Sequence, residues 1–408
     1  MKKQIYMILN IKRVIVLNKI VIVGAGFSGL VCAINAKNDN NEVLILEKRN
    51  IPGKKILVTG NGRCNYFNDK QDINKYHSSN NDFLENIADE SSKVIEFYND
   101  LGIVPFIKDG YYYPYSKEAT SIRNALLNKC KELNIEIKTD YKVDSVTLEN
   151  DIFIINNDIK CDKLVIATGS MAYYKDEEQL IGYNIAKSFG HNIVKCLPSL
   201  VQLKGKGDYF KAWAGVRSEV KASLYVDNYK VKEEDGEIML TDYGVSGICI
   251  FNLSSYATRS LSDNMDVRIS INFLPWLNEN LYKYLEKRDT SIESVLSGML
   301  NSKLVDLILN KCNIDKNKKF NELEDSYKDN LVDNLLSFNV EIVGTNDFDK
   351  AQVSTGGVDT KEIDKDTFES KLVKGLYFIG EVVDVDGECG GYNITFATLS
   401  GIKCGKSL

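Results

Sequence analysis

The sequence predicts an α/β protein whose parallel sheet is assembled from both ends of the chain, with a lobe of short strands inserted between them and a helical lobe nested in that insertion. Three observations carry this. Four apolar residues, Ile20 to Val23, turn on a glycine-rich hexapeptide, Gly24 to Gly29, into a helical pattern. From Cys196 to Val353 no such turn recurs, and short alternating runs such as Ser218 to Val226 and Val267 to Phe273 flank a charged helical stretch. Near the C-terminus a further apolar run, Gly375 to Ile379, ends in Gly380-Glu381 and leads into a last helical pattern, so the chain closes on its own beginning.

Each glycine of the first turn has its own task. Gly24 permits the tight turn, Gly26 lets backbone approach a pyrophosphate, and Gly29 allows the helix to pack closely on the strand. Ala25 and Ser28 share this turn, where unpaired N–H groups and the positive end of the helix dipole meet a diphosphate without any basic side chain. A second apolar run, Val43 to Leu46, ends in Glu47, eighteen residues beyond Gly29, where a carboxylate accepts hydrogen bonds from a ribose. Together these make the fingerprint of a Rossmann-like dinucleotide-binding domain. It serves NAD and FAD equally, because both present the same adenosine diphosphate.

The next motif decides between them. Gly60-Asn61-Gly62-Arg63-Cys64-Asn65 comes after the apolar stretch Ile56 to Val58 and offers bare backbone, an amide and a guanidinium, groups suited to the pyrophosphate, ribityl chain or flavin edge of an extended cofactor. With this loop the sequence resembles the family of FAD-dependent oxidoreductases that takes in aminoacetone-oxidase-like and bile-acid-dienone-reductase-like (BaiN-like) flavoproteins, in which a GxGRCN loop comes after a glutathione-reductase-type FAD strand. The resemblance runs from about Lys19 to the C-terminus. It implies a Rossmann-like FAD-binding domain of glutathione-reductase type, with Gly60, Gly62, Arg63, Cys64 and Asn65 at the cofactor, along with Lys48 and Lys54. It also implies that Ala167-Thr168-Gly169, ending the run from Lys163, passes back against FAD, and that Val143 gives the adenine a backbone contact.

For the end of the chain the resemblance places Gly380, Glu381 and Asp386 by the ribityl and pyrophosphate region, and Gly391, Tyr392 and Asn393 by the isoalloxazine. N–H groups at that helix start would stabilise negative charge on the reduced ring. Two positions depart from the family: Ile248 replaces the Pro usual after the segment Thr241 to Gly247, and Cys389 is unexpected where it stands. The glycines of the Thr241 segment read either as turn formers or as part of a substrate or flavin contact.

Between these motifs the chain reads as scaffold. Asp82 to Leu101 and Lys117 to Leu133 carry helical periodicity, Ile135 to Ile159 reads as an antiparallel meander, and Gln179 to Gly190 as a helix ahead of a packing residue, His191. Gly110 to Ser116 is an aromatic loop expected to pack on the cofactor domain, its Tyr hydroxyls being secondary candidates for proton donors. The division expected is an extension at 1–18, a discontinuous FAD-binding domain at 19–195 and 354–408, an inserted β-barrel-like lobe at 196–275 and 337–353, and a helical lobe at 276–336.

Composition narrows the function. A chain of 408 residues exceeds what one core supports. A net charge of −6 argues against a nucleic-acid partner. Nine scattered cysteines without a CxxC pair read as reduced thiols of a cytoplasmic protein, with Cys64 and Cys389 as packing residues. Residues 1–18 lack a cleavable signal pattern, and no apolar run is long enough for a membrane span. With only His77 and His191, neither a triad nor a histidine metal site is available, so the chemistry must come mainly from FAD; no catalytic side chain stands out. A single glycine fingerprint leaves NAD(P)H as a transient electron donor, as the resemblance implies. The leading expectation is NAD(P)H-driven reduction of a conjugated or unsaturated small organic substrate. The alternatives are oxidation of a small amine with oxygen as acceptor, and a flavin-binding accessory module serving a partner.

Overall fold

The computed structural model describes residues 17–173, 180–277 and 280–408. The expected extension lies almost wholly outside the described residues, as do Gln179 and Asn278, where two helices were expected to begin.

Five parallel strands form the central sheet, in the order Leu376–Phe378, Lys163–Ile166, Asn18–Val23, Asn41–Leu46, Glu136–Lys138. Ile20, Val21 and Ile22 are fully buried, as the continuous apolar run of a strand covered on both faces requires. The first helix, Phe27–Ala36, packs along the last, Tyr392–Ser407. Two glycines make that contact close. A Cβ at Gly401 would lie 2.7 Å from the Ser28 carbonyl oxygen, and one at Gly405 would lie 2.6 Å from that of Cys32.

The connecting segments differ from expectation in three places. Glu136–Lys138 joins the parallel sheet as a short edge strand, so the antiparallel meander begins only at Val146–Glu149. Segment 82–101 is broken: only Ser92–Asp100 is α-helical, and the Ser91 hydroxyl donates to the Ala88 carbonyl (2.7 Å), competing with the helical ladder. The aromatic stretch is not a loop but the strand Tyr111–Pro114, paired with Pro105–Lys108 and Phe67–Asn68.

The insertion is a closed six-stranded barrel in the order Leu203–Gly205, Gly244–Gly247, Tyr229–Leu240, Arg217–Val226, Val267–Asn272, Phe338–Thr345. The helices Leu281–Glu286, Ile292–Ser297, Ser302–Lys311 and Asp325–Leu336 sit between its last two strands in sequence. They share one core with the barrel, in which Leu304 and Leu331 meet Trp213, Phe273 and Phe338. A separate core of Ile20, Leu30, Ile166 and Phe378 belongs to the sheet. The chain leaves and returns through two antiparallel strands, Ile193–Ser199 and Val353–Val358.

At the first crossing His191 is buried, its Nδ1 3.0 Å from Glu362 Oε2 and its Nε2 2.7 Å from Ser370 Oγ. Burial pushes its pKa below the ordinary value, and the Glu362 carboxylate offsets only part of this. The unfolded chain therefore binds the proton more readily than the native one. Stability is complete above the ordinary histidine range and falls as pH drops through it. Urea midpoints at pH 7.5 and 5.5 should differ more for wild type than for His191→Gln. Gly401→Val, which forces the two helices apart, should cost about 1–3 kcal/mol in the same assay.

Candidate functional site

A cavity of about 930 Å³ opens at the carboxyl ends of the parallel strands, its wall taking in Val23, Leu46 and Ala167, where ligands bind in open α/β sheets. At one end stand Glu47, Lys48, Arg49, Lys54, Lys142 and Val143. Glu47 closes the glycine turn: Oε2 accepts from the Ala25 N–H (2.9 Å) and Oε1 from the Arg49 N–H (3.0 Å).

The three glycines separate by what a side chain would meet. At Gly24, with φ +110°, a Cβ would lie 2.4 Å from the Ala167 carbonyl oxygen, and at Gly29 it would lie 2.0 Å from that of Gly24. At Gly26 nothing stands within 4 Å. That open space is the cavity itself, directly before the first helix, whose N-cap Gly26 supplies no side-chain bond to its N–H groups. Thr168 also lines the cavity, but its Oγ1 is buried against Gly182, where a Cβ would lie 2.1 Å from it.

In the middle, Gly60, Arg63 and Asn65 reach the wall, and Asn61, at φ +53°, joins them. Gly62 and Cys64 belong to the same loop but do not face the cavity. Cys64 is fully buried, and burial pushes its thiol up to about 12, so it packs rather than reacts. Glu381 is on the wall, paired with Lys55 (2.6 Å) and accepting from Ser170 Oγ (3.3 Å); neither partner was apparent from the sequence. Gly380 lies behind it, its missing Cβ leaving room for Ser28 Oγ.

The last helix also begins at the cavity. Gly391, Asn393, Ile394 and Ala397 line it, alongside Gly169 and Ser28. Asn393 closes the preceding turn, donating to the Gly387 carbonyl (2.7 Å) while accepting from the Gly387 N–H (2.8 Å). Tyr392 turns away: its hydroxyl donates to the Lys70 carbonyl (3.1 Å) and its ring meets Tyr76 edge-on. Asp386 is also off the wall. It is buried against the barrel, held by Arg259 (2.7 Å), Ser255 (2.9 Å) and Ser199 (3.3 Å).

The other end of the cavity was legible only in part, since the sequence offered the Tyr hydroxyls of 110–116 as secondary proton donors without telling which of them face it. Tyr111 and Tyr113 face it, while Tyr112 between them packs edge-on against Phe67 (5.2 Å); period-two alternation in the aromatic run is the signal that could have found them. The insertion contributes Leu200, Ile248, Phe251, Gln352 and Val353. The Thr241 segment thus reaches the wall only through Ile248, and its Gly244 and Gly247 serve close strand contacts, with a Cβ at either lying within 2.4 Å of a carbonyl oxygen. Cys389 lies here too, its thiol pushed up to about 12 by burial.

Two helix N-termini, an unobstructed glycine, a charged end and a volume of this size fit an extended dinucleotide such as FAD. Among the described residues, no cluster of three or more His, Cys, Asp or Glu is placed to hold a metal, and no helix is long and apolar enough to cross a membrane.

A family model described as the HI0933-like protein Rossmann domain matches residues 18–407. The chain is 33% identical to a 3-dehydro-bile acid delta(4,6)-reductase of Clostridium scindens, over 96% of this chain and 99% of that one. It is 29% identical to a ribosomal RNA dihydrouridine synthase of Escherichia coli, over 95% and 97% of the two chains. A ribosomal RNA dihydrouridine synthase of Haemophilus influenzae is 28% identical, over 95% and 98%.

The glycine geometry separates binding from folding. Gly26→Val should keep the unfolding free energy of the FAD-free protein within about 1 kcal/mol of wild type while flavin absorbance per protein falls more than about tenfold. Gly24→Val, with strained backbone and a blocked Cβ, should lower that free energy itself.

Proposed function

The chain belongs to the HI0933-like Rossmann family and is an FAD-dependent oxidoreductase, and from that premise we propose that it reduces a carbon–carbon double bond conjugated to a carbonyl, with NAD(P)H as transient electron donor. FAD, when bound, supplies the hydride. Gly26, Glu47, Glu381 and the start of the last helix would hold it, the adenosine half lying by Glu47 and the ring by Gly391 and Asn393.

The observation that carries this reading is the apolar end of the cavity. Leu200, Ile248, Phe251 and Val353 line the same cavity as Tyr111 and Tyr113, with Gln352 among them, a surface suited to a flat, uncharged ring system. A protonated amine would be held best by an available carboxylate on the wall. Among the described residues, each carboxylate on the wall is already engaged: Glu47 by backbone N–H groups, Glu381 by Lys55, and Glu388 by Lys75 and Lys232.

The relatives' names fit one chemistry, since a conjugated ketone and a uracil ring both present a double bond beside a carbonyl. The net charge of −6 favours the free small molecule over RNA. The reduction also needs a proton at the α-carbon. Tyr113, on the cavity wall with Tyr111, is our candidate donor; burial and Tyr111 raise its pKa, and the Arg63 guanidinium opposes them.

The test is anaerobic absorbance of the yellow protein under NADH and then NADPH. Bleaching is expected with one or both, and then recovery of colour on adding a 4-en-3-one steroid faster than on adding a uracil-containing RNA oligonucleotide. Recovery with the RNA alone would move the assignment to nucleic acid, and a protein that neither donor bleaches would remove the NAD(P)H-driven reading. Tyr113→Phe should slow recovery by the steroid about a hundredfold while leaving bleaching unchanged.

A further inference from the structure

Glu388 is only 3% exposed, yet it stands on the cavity wall two residues before the Gly390-Gly391 turn. Its Oε2 pairs with Lys75 Nζ at 2.8 Å, and its Oε1 pairs with Lys232 Nζ. Lys75 belongs to the sheet side of the molecule, and Lys232 to the barrel strand Tyr229–Leu240. Lys232 also meets Glu234 (3.3 Å) and lies over the Tyr256 ring (5.0 Å).

The backbone is gripped from the same two sides. The Glu388 N–H donates to the Lys75 carbonyl (3.0 Å), and the Cys389 N–H donates to Asn252 Oδ1 (2.9 Å), whose Nδ2 donates to Glu234 Oε2 (3.0 Å). Burial lowers the pKa of each lysine, but the Glu388 carboxylate raises it by more, so both remain charged. A buried pair of this kind adds little net stability, and it does fix one arrangement, because breaking it strands a charge. The adjoining turn cannot fix itself: Gly390 and Gly391, at φ +129° and +96°, have no side chains.

We propose that Glu388 is a positioning residue, whose ion pairs with Lys75 and Lys232 hold the barrel wall in register with the Gly390-Gly391 turn and so close the cavity over the flavin. This rests on FAD occupying the cavity. A second anchor, Asp386 with Arg259 and Ser255, joins the same two parts independently, so loss of the Glu388 pairs loosens the closure without releasing the barrel.

The experiment uses the FAD-loaded full chain and measures FAD release on dilution by recovery of flavin fluorescence, together with the visible flavin spectrum and the thermal midpoint. Lys232→Met and Glu388→Gln should each release FAD about tenfold faster, with a shifted flavin band and a midpoint within a few degrees of wild type. Lys232→Arg should behave as wild type, and the double variant should be no faster than Glu388→Gln alone, which already breaks both pairs. Wild-type release and spectrum in both variants overturn the proposal. So does faster release that tracks a fallen midpoint and is not rescued by arginine, since that is a purely structural effect. A wild type that retains no FAD removes the reading on which the proposal rests.

Discussion

Everything at the site depends on how closely the first and last helices approach each other. Gly401 and Gly405 let the last helix sit against the Ser28 and Cys32 carbonyls of the first. The two helices come from opposite ends of the chain, and their starts, at Gly26 and Gly391, open on one cavity. Each start carries N–H groups that no side chain caps, so two partial positive poles face the same space. Were the helices further apart, the poles would serve two separate surfaces. The discontinuity of the sheet domain is what makes one site of them.

The inserted lobe completes the cavity from the other side. Its strands form a closed barrel that shares a core with the nested helices, so it has a core of its own rather than being a loop laid over the sheet domain. The wall it offers is nearly all hydrocarbon. The sheet domain, by contrast, lines its end of the cavity with paired charges and backbone dipoles. One cavity therefore has a part fit for a charged dinucleotide and a part fit for an uncharged ring, with Gly391 and Asn393 on its wall.

The legible parts were those whose meaning is local. Strand, glycine turn and helix, the loop from Gly60 to Asn65, and the closing strand with Gly380-Glu381 are contiguous, and their spacing alone says what backbone they need. The fold class came from them, since an interrupted pattern of this kind demands an insertion. The illegible parts depend on what lies opposite. Tyr392 sits in the closing motif, but Lys70 and Tyr76 take its side chain away from the cavity. Asp386 reads as a cofactor ligand until the barrel is in place, when Arg259, Ser199 and Ser255 claim both of its oxygens. Lys55 and Ser170 gain meaning only beside Glu381. Tyr111 and Tyr113 could not be told from Tyr112 for another reason: a run of aromatic residues masks the alternation that separates the wall from the core.

The charge arrangement also limits what can tune the flavin. With Glu47 bound to backbone N–H groups, Glu381 to a lysine and Glu388 to two lysines, no carboxylate on the wall among the described residues is left to repel electrons arriving at the ring. The thiols of Cys64 and Cys389 are held protonated by burial and add no charge. In the placement proposed for the ring, the pole of the last helix stands beside it, a fixed dipole that needs no proton and no rearrangement to stabilise an anion. A dipole so placed would favour the reduced, negatively charged flavin over the oxidised, neutral one. That bias suits a flavin-dependent oxidoreductase, whose cofactor must hold the electrons it carries.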